Sequence, residues 1–166
     1  MSVILGVDPG SNITGYAILA GGNRPHLLDV GCIRLPRKPF AVRLGLIFER
    51  LSEIIVANTP DEMAIEDVFM ARNAASALKL GQARGAAICA GAAAGLPVSE
   101  YTPTQIKSAI VGRGRADKKQ IQHMIGVLLG VNKNLQADSA DAAAVALCHA
   151  HHKQTAARTR VADSLG

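Results

Sequence analysis

Residues 3–19, VILGVDPGSNITGYAIL, decide how this chain folds. The first half, VILGVD, is a near-continuous apolar run, which suits a strand buried on both faces. Pro9-Gly10-Ser11-Asn12 is a turn, and TGYAIL is the returning strand. Asp8 therefore sits where a buried strand emerges, and in α/β sheets that is where ligand crevices form. Asp-Pro-Gly is also ordinary turn chemistry, so Asp8 alone decides nothing.

Working outward, HLLDVGCIRL at 26–35 reads as a third strand, ended by the proline-containing break PRKPF. From 41 to 57 the apolar residues Leu44, Ile47, Leu51, Ile54 and Ile55 recur at helical period. MAIEDV at 63–68 is a short buried strand, and 73–95 a long helix of small residues with Asn73 as its cap. LPVSEYTP at 96–103 is a further strand. Residues 104–111, 118–129 and 138–149 follow as three helices. The expected architecture is α/β, a mixed five-stranded sheet flanked by helices on both faces, forming one domain over 1–153. The segment 154–166 lacks an apolar period and reads as a flexible basic tail.

The totals agree with a single folded domain. A chain of 166 residues with 49% hydrophobic content buries a sizeable core without staples. The uncharged run at 85–99 is too short, and too rich in glycine and alanine, to span a bilayer. The apolar start lacks the basic flank of a signal peptide, so a cytoplasmic location is expected. Cys32, Cys89 and Cys148 lie in apolar contexts without metal-ligand spacing and read as reduced core thiols. A net charge of +5 favours a polyanionic partner, while 3% aromatics argue against a broad stacking platform.

Glu66 closes the run AIE, again where a buried strand emerges, and Asp67 should point the other way along the extended chain. In QADSADAAAVALCHAHH, residues 136–152, Asp138 and Asp141 fall on roughly one face of a helix's first turn. Capping and dipole complementation would explain them as helix grammar. The other reading brings Asp8, Glu66, Asp138 and Asp141 together at one end of the sheet. Four packed carboxylates repel unless a cation offsets them. Two Mg²⁺ ions need such shared hard oxygen ligands, to activate water and stabilise the leaving oxygen of a phosphodiester. Zinc fits poorly, because no His and Cys pattern accompanies the acids.

ILGVDPGSNITGYAIL, AIEDVFMARNAASALKLGQARG, YTPTQIKSAIVGRGRADKKQIQHM and QADSADAAAVALCHAHH together resemble the RuvC family of Holliday-junction resolvases, over nearly the whole chain except the tail. The resemblance implies a ribonuclease H-like fold and a Mg²⁺-dependent homodimer that nicks four-way DNA junctions symmetrically, with Mn²⁺ able to substitute. It also implies a working partnership with the RuvA–RuvB branch-migration complex. On it Asp8, Glu66, Asp138 and Asp141 match the catalytic acids, and Phe69 matches an aromatic that stacks on bases at the junction's opened centre. It moves Lys107 and Lys118 toward phosphate or leaving-group contacts, with Lys119 a less certain stand-in.

The run GRGRADKK, with Arg113, Arg115, Lys118 and Lys119, is a cation cluster suited to backbone phosphates, and Arg72, Lys79 and Arg84 would extend it. Ala74, Ala77, Gly81, Gly85, Ile88 and Ala92 form a face of little bulk on the long helix, open to close packing by the sheet or by a second subunit. His149, His151 and His152 are expected as cations at the end of the last helix. His149 would lie about 12 Å along the axis from Asp141, too far to share a metal. His123 reads as a surface residue. The competing readings are another ribonuclease H-like nuclease acting on an RNA–DNA hybrid, a junction-binding protein without catalysis, and an actin-like ATPase or sugar kinase suggested by DPGSNITG. The last needs two such domains, for which this chain lacks room.

Overall fold

The structure is a computed structural model that describes residues 1–67, 72–112, 117–131 and 135–163. The elements run β1 Val3–Asp8, β2 Ile13–Ala20, β3 His26–Arg34, α1 Phe40–Asn58, β4 Glu62–Glu66, α2 Ala74–Ala93, β5 Val98–Tyr101, α3 Pro103–Val111, α4 Lys118–Leu129 and α5 Ala137–Asp163. The strands form one sheet in the order β3-β2-β1-β4-β5. β1 pairs antiparallel with β2, and β2 with β3, while β4 runs parallel to both β1 and β5. The expected mixed five-stranded sheet is present.

The two-residue period of the central strands sorts their side chains into two cores. Leu5, Val7, Ile18, Ile33, Met63 and Ile65 pack against α1 and α2. Ile4, Ala17, Leu19 and Ala64 face the other way, onto α3, α4 and α5. Asp8 continues the Ile4–Gly6 row and Glu66 the Ala64 row, so both acids emerge on the α5 side.

Two strand glycines set how closely α5 approaches. A Cβ on Gly6 would collide with the Ala142 carbonyl oxygen, and one on Gly15 with that of Asp138. Only glycine lets the helix backbone lie directly on the sheet here. The alanines Ala140, Ala142, Ala143, Ala144 and Ala146, all buried, complete that contact.

The helix starts follow the sequence. The Asn73 side chain accepts from the Ser76 backbone N–H at 2.9 Å. Reciprocal capping boxes, Thr102 with Gln105 and Asp117 with Gln120, open α3 and α4.

Three expectations need correction. α5 does not end near His149 but runs on to Asp163, so the described part of the C-terminal segment, 154–163, is helical. This stretch holds good helix formers and no breaker, and 155–162 is exposed, so no apolar period was required of it. His149 is therefore mid-helix and buried, bonded through Nδ1 to the Tyr101 hydroxyl at 2.7 Å and through Nε2 to Glu62 at 2.8 Å. It does not stand at the helix terminus. Among the cysteines Cys148 is buried, but Cys32 is half-buried and Cys89 exposed, because Cys89 lies on the outer side of α2.

Candidate active site

Strand pairing brings the first two acids together. Val7 is opposite Ile65 in the parallel ladder, so Asp8 and Glu66 leave adjacent strand ends side by side. α5, seated on Gly6 and Gly15, delivers Asp138 and Asp141 from its first turns to the same end. All four acids are partly buried. Burial, then the charges of Glu66 and Asp141, a hydrogen bond shared with Glu66, and the charge of Asp138 push the Asp8 carboxyl up to about 9. Burial likewise raises Glu66, with Asp141 adding to the shift, while the hydrogen bond from Asp8 and the charges of Lys118 and Lys107 oppose it. Burial also raises Asp141, against the nearby Lys118.

Two lysines answer this charge. The Lys118 ammonium lies 3.2 Å from the Asp141 carboxylate, and that carboxylate raises the lysine's pKa in turn. Glu66, Lys107, Lys118 and Asp141 line one cleft of about 270 Å³, with Pro103, Ile106, Ile121 and Ala144 as its apolar wall. The capping box of α4 fixes Lys118 in that helix's first turn, facing the acids.

The donor set is hard oxygen throughout. Among the described residues no three His, Cys, Asp or Glu side chains stand close enough together to hold a metal ion as they are placed. Glu66 and Asp141 line the cleft, with Asp8 and Asp138 close enough to act on their charge, a set of hard oxygens that suits cations retaining water or substrate oxygens in their coordination, as Mg²⁺ does.

Asp8, Glu66, Asp138, Asp141, Lys107 and Lys118 thus converge. Lys119 and Arg72 are exposed. Asp67 points to the opposite face, as expected of an extended chain, and there it engages Arg84 at 3.4 Å. Arg84 also pairs with Glu100 at 2.6 Å and donates to the Glu66 carbonyl at 3.1 Å. These bonds overturn its reading as a free phosphate contact: it ties α2 to the ends of β4 and β5. Lys79 lies 5.9 Å over the Phe40 ring of α1, also away from the α5 side. Phe69, Arg113 and Arg115 fall outside the described residues.

Sequence reasoning passed over Gly6 and Gly15, although glycine inside a strand marks close backbone approach. It also passed over Arg43, whose Nη1 donates to the Ser11 carbonyl and the Asn12 side chain, each at 2.9 Å, bracing the turn beyond Asp8.

A mixed sheet with this strand order, carrying acids on its two central strands and on the helix packed across them, defines a nuclease of the ribonuclease H-like fold. Residues 4–149 match the family described as "Crossover junction endodeoxyribonuclease RuvC". The curated relative from Methylococcus capsulatus is 56% identical over 158 residues, covering 95% of this chain and 96% of its own. That from Marinobacter nauticus is 57% identical over 159 residues, covering 95% and 91%. Both carry the same description. The structure of Thermus thermophilus RuvC in complex with a Holliday junction substrate superposes with a TM-score of 0.88 at 33% identity, over 94% of this chain and 97% of that one. A yeast mitochondrial Holliday-junction resolvase shares the fold, with a TM-score of 0.66 at 10% identity, over 89% of this chain and 78% of that one. The chain belongs to the RuvC family of crossover junction endodeoxyribonucleases.

Proposed function

We propose that Asp8, Glu66, Asp138 and Asp141 are the catalytic centre with which this endonuclease resolves Holliday junctions, hydrolysing phosphodiester bonds in two opposing strands during recombination and repair. The supporting observation is the convergence of the four acids: Asp8 and Glu66 leave adjacent strand ends, and the first turns of α5 bring Asp138 and Asp141 to the same end, all four partly buried. Such a cluster is costly when ionised and becomes favourable once cations enter it. The four acids would hold two Mg²⁺ ions, with Mn²⁺ able to substitute. When bound, the metals would supply an activated water and charge stabilisation of the leaving oxygen.

The chain's own residues do the rest. Lys107 and Lys118 bind and orient the scissile phosphate at the mouth of the cleft. Lys118 is exposed, and an exposed ion pair is worth little, so it can give up Asp141 and take a phosphate oxygen instead. Lys119 and Arg72, both exposed, would add contacts to backbone phosphates; the same role is proposed for Arg113 and Arg115, and stacking on an unpaired base for Phe69.

One chain holds acids for one cut, so a C₂ homodimer supplies the second. The small-residue side of α2 supports this reading: a Cβ on Gly81 or Gly85 would meet open space, leaving room for a partner backbone. Work alongside the RuvA–RuvB branch-migration complex, in the cytoplasm, completes the proposal. No described helix is long and apolar enough to cross a membrane.

The test uses an end-labelled mobile four-way junction, a matched duplex and an RNA–DNA hybrid, with Mg²⁺ or EDTA. Wild type should make paired nicks in opposing strands of the junction alone, only with Mg²⁺, and Asp141→Asn should make none. Cutting of the hybrid would overturn the substrate, and binding without cutting would overturn catalysis.

A further inference from the structure

Between residues 30 and 48 the chain has no Asp or Glu, but it carries Arg34, Arg37, Lys38 and Arg43. The fold puts this segment beside the acids. Asp8 pairs with Gly15, and Gly15 with Cys32, so the C-terminal end of β3 lies at the active-site end of the sheet. The Arg34 guanidinium donates to the Gln136 side chain at 3.0 Å, two residues ahead of Asp138. The Leu35 N–H donates to the Asn12 carbonyl at 2.9 Å, fastening the loop after β3 to the turn beyond Asp8. Arg43 braces the same turn from α1.

Arg34, Arg37 and Lys38 are exposed. Pro36 and Pro39 flank the last two, and the Lys38 N–H closes a tight turn on the Pro36 carbonyl at 2.8 Å. A loop fixed in this way presents its cations with little ordering left to lose on binding.

The strand order gives this surface its meaning. β3 and β5 are the two edges of the sheet, with Asp8 and Glu66 on the central strands between them. Lys107 follows β5, and Lys118 closes that side of the cleft. The β3 edge therefore forms a second cationic wall on the far side of the acids. A strand whose scissile phosphate lies at the acids must run outward in two directions, and fixed cations on both sides meet its backbone each way. Phosphate contacts of this kind set register without reading sequence.

We propose that Arg34, Arg37 and Lys38 form a second phosphate-binding surface, which holds the backbone of the nucleic acid leaving the cleft over the β3 edge. This rests on the junction-cleaving reading above and extends it.

The test measures binding of a four-way DNA junction by the full chain in EDTA, over a range of salt concentrations. Arg37→Gln/Lys38→Gln should flatten the plot of log affinity against log salt by about 2, close to 0.9 per lost phosphate contact, and weaken binding roughly tenfold or more at about 0.1 M salt. Lys38→Gln alone should flatten it by about 1, and Arg37→Lys/Lys38→Arg should restore the wild-type slope. The control Arg24→Gln/Arg158→Gln removes the same charge from the opposite hairpin end and from the exposed end of α5, and should leave the slope unchanged. A wild-type slope in the first variant, or equal flattening in the control, overturns the proposal. Failure of wild type itself to bind the junction would instead overturn the reading on which it rests.

Discussion

Burial and three neighbouring carboxylates act together on the Asp8 carboxyl of the candidate site. Its unfolded counterpart ionises near 3.8, whereas the folded group holds its proton to about 9. Between those values the unfolded chain has released a proton that the folded chain keeps, so without metal this residue costs stability as pH rises. Asp8→Asn removes that cost. In EDTA at about pH 8 it should melt higher than wild type by at least ~2–4 °C, the shift that roughly 1 kcal/mol produces in a domain of this size. The difference should vanish near pH 4, and the variant should not cleave. A lower melting point at pH 8 would contradict the account. Gly15 makes a steric demand instead. Gly15→Ala drives a methyl group into the Asp138 carbonyl, and should cost ~1–3 kcal/mol by denaturation and lower kcat by about 10²-fold through displacement of Asp138. Gly45, on α1, faces open space. Gly45→Ala should instead stabilise by ~0.5–1 kcal/mol, which separates steric conflict from helix propensity.

The element that decides the site is α5. Its first turns carry Asp138 and Asp141, and two turns on a buried network fastens it to the sheet. Glu62, at the start of β4, accepts from His149 at 2.8 Å and also bonds Lys153. Since Glu66 ends the same strand, the network fixes α5 lengthwise against β4. Burial would raise the Glu62 carboxyl, but hydrogen bonds from Lys153 and His149 outweigh it and hold the group below its usual 4.5. Its stabilisation is therefore present above that value and lost as pH falls through it. Glu62→Gln should lose ~1–3 kcal/mol in urea denaturation at neutral pH, with the gap from wild type closing under acid.

At this scale the sequence was readable where periodicity and punctuation act locally. The β1–β2 hairpin, the Asn73 cap and the 118–129 helix stand where the pattern put them. The alternation of β4 correctly sent Glu66 and Asp67 to opposite faces. What escaped reading depends on partners distant in sequence. Arg84 looked like a surface cation because nothing local announces Glu100, and His149 looked terminal because an exposed helix needs no apolar stripe beyond it.

For the whole molecule, the strand order places acids at the centre and cations toward both edges. The +5 net charge is thus distributed against a strongly acidic middle. A polyanion attracted to the flanks meets repulsion at the centre until metal enters, which makes tight binding and cutting separable properties of one surface. The contributors to that centre are also scattered along the chain, at residue 8, residue 66 and the start of the last helix. A nascent polypeptide whose final helix is still inside the ribosome thus presents two of its four carboxylates and no helix to complete them. A chain cut short before α5 should therefore leave a four-way junction uncut, because it lacks the helix that carries Asp138 and Asp141.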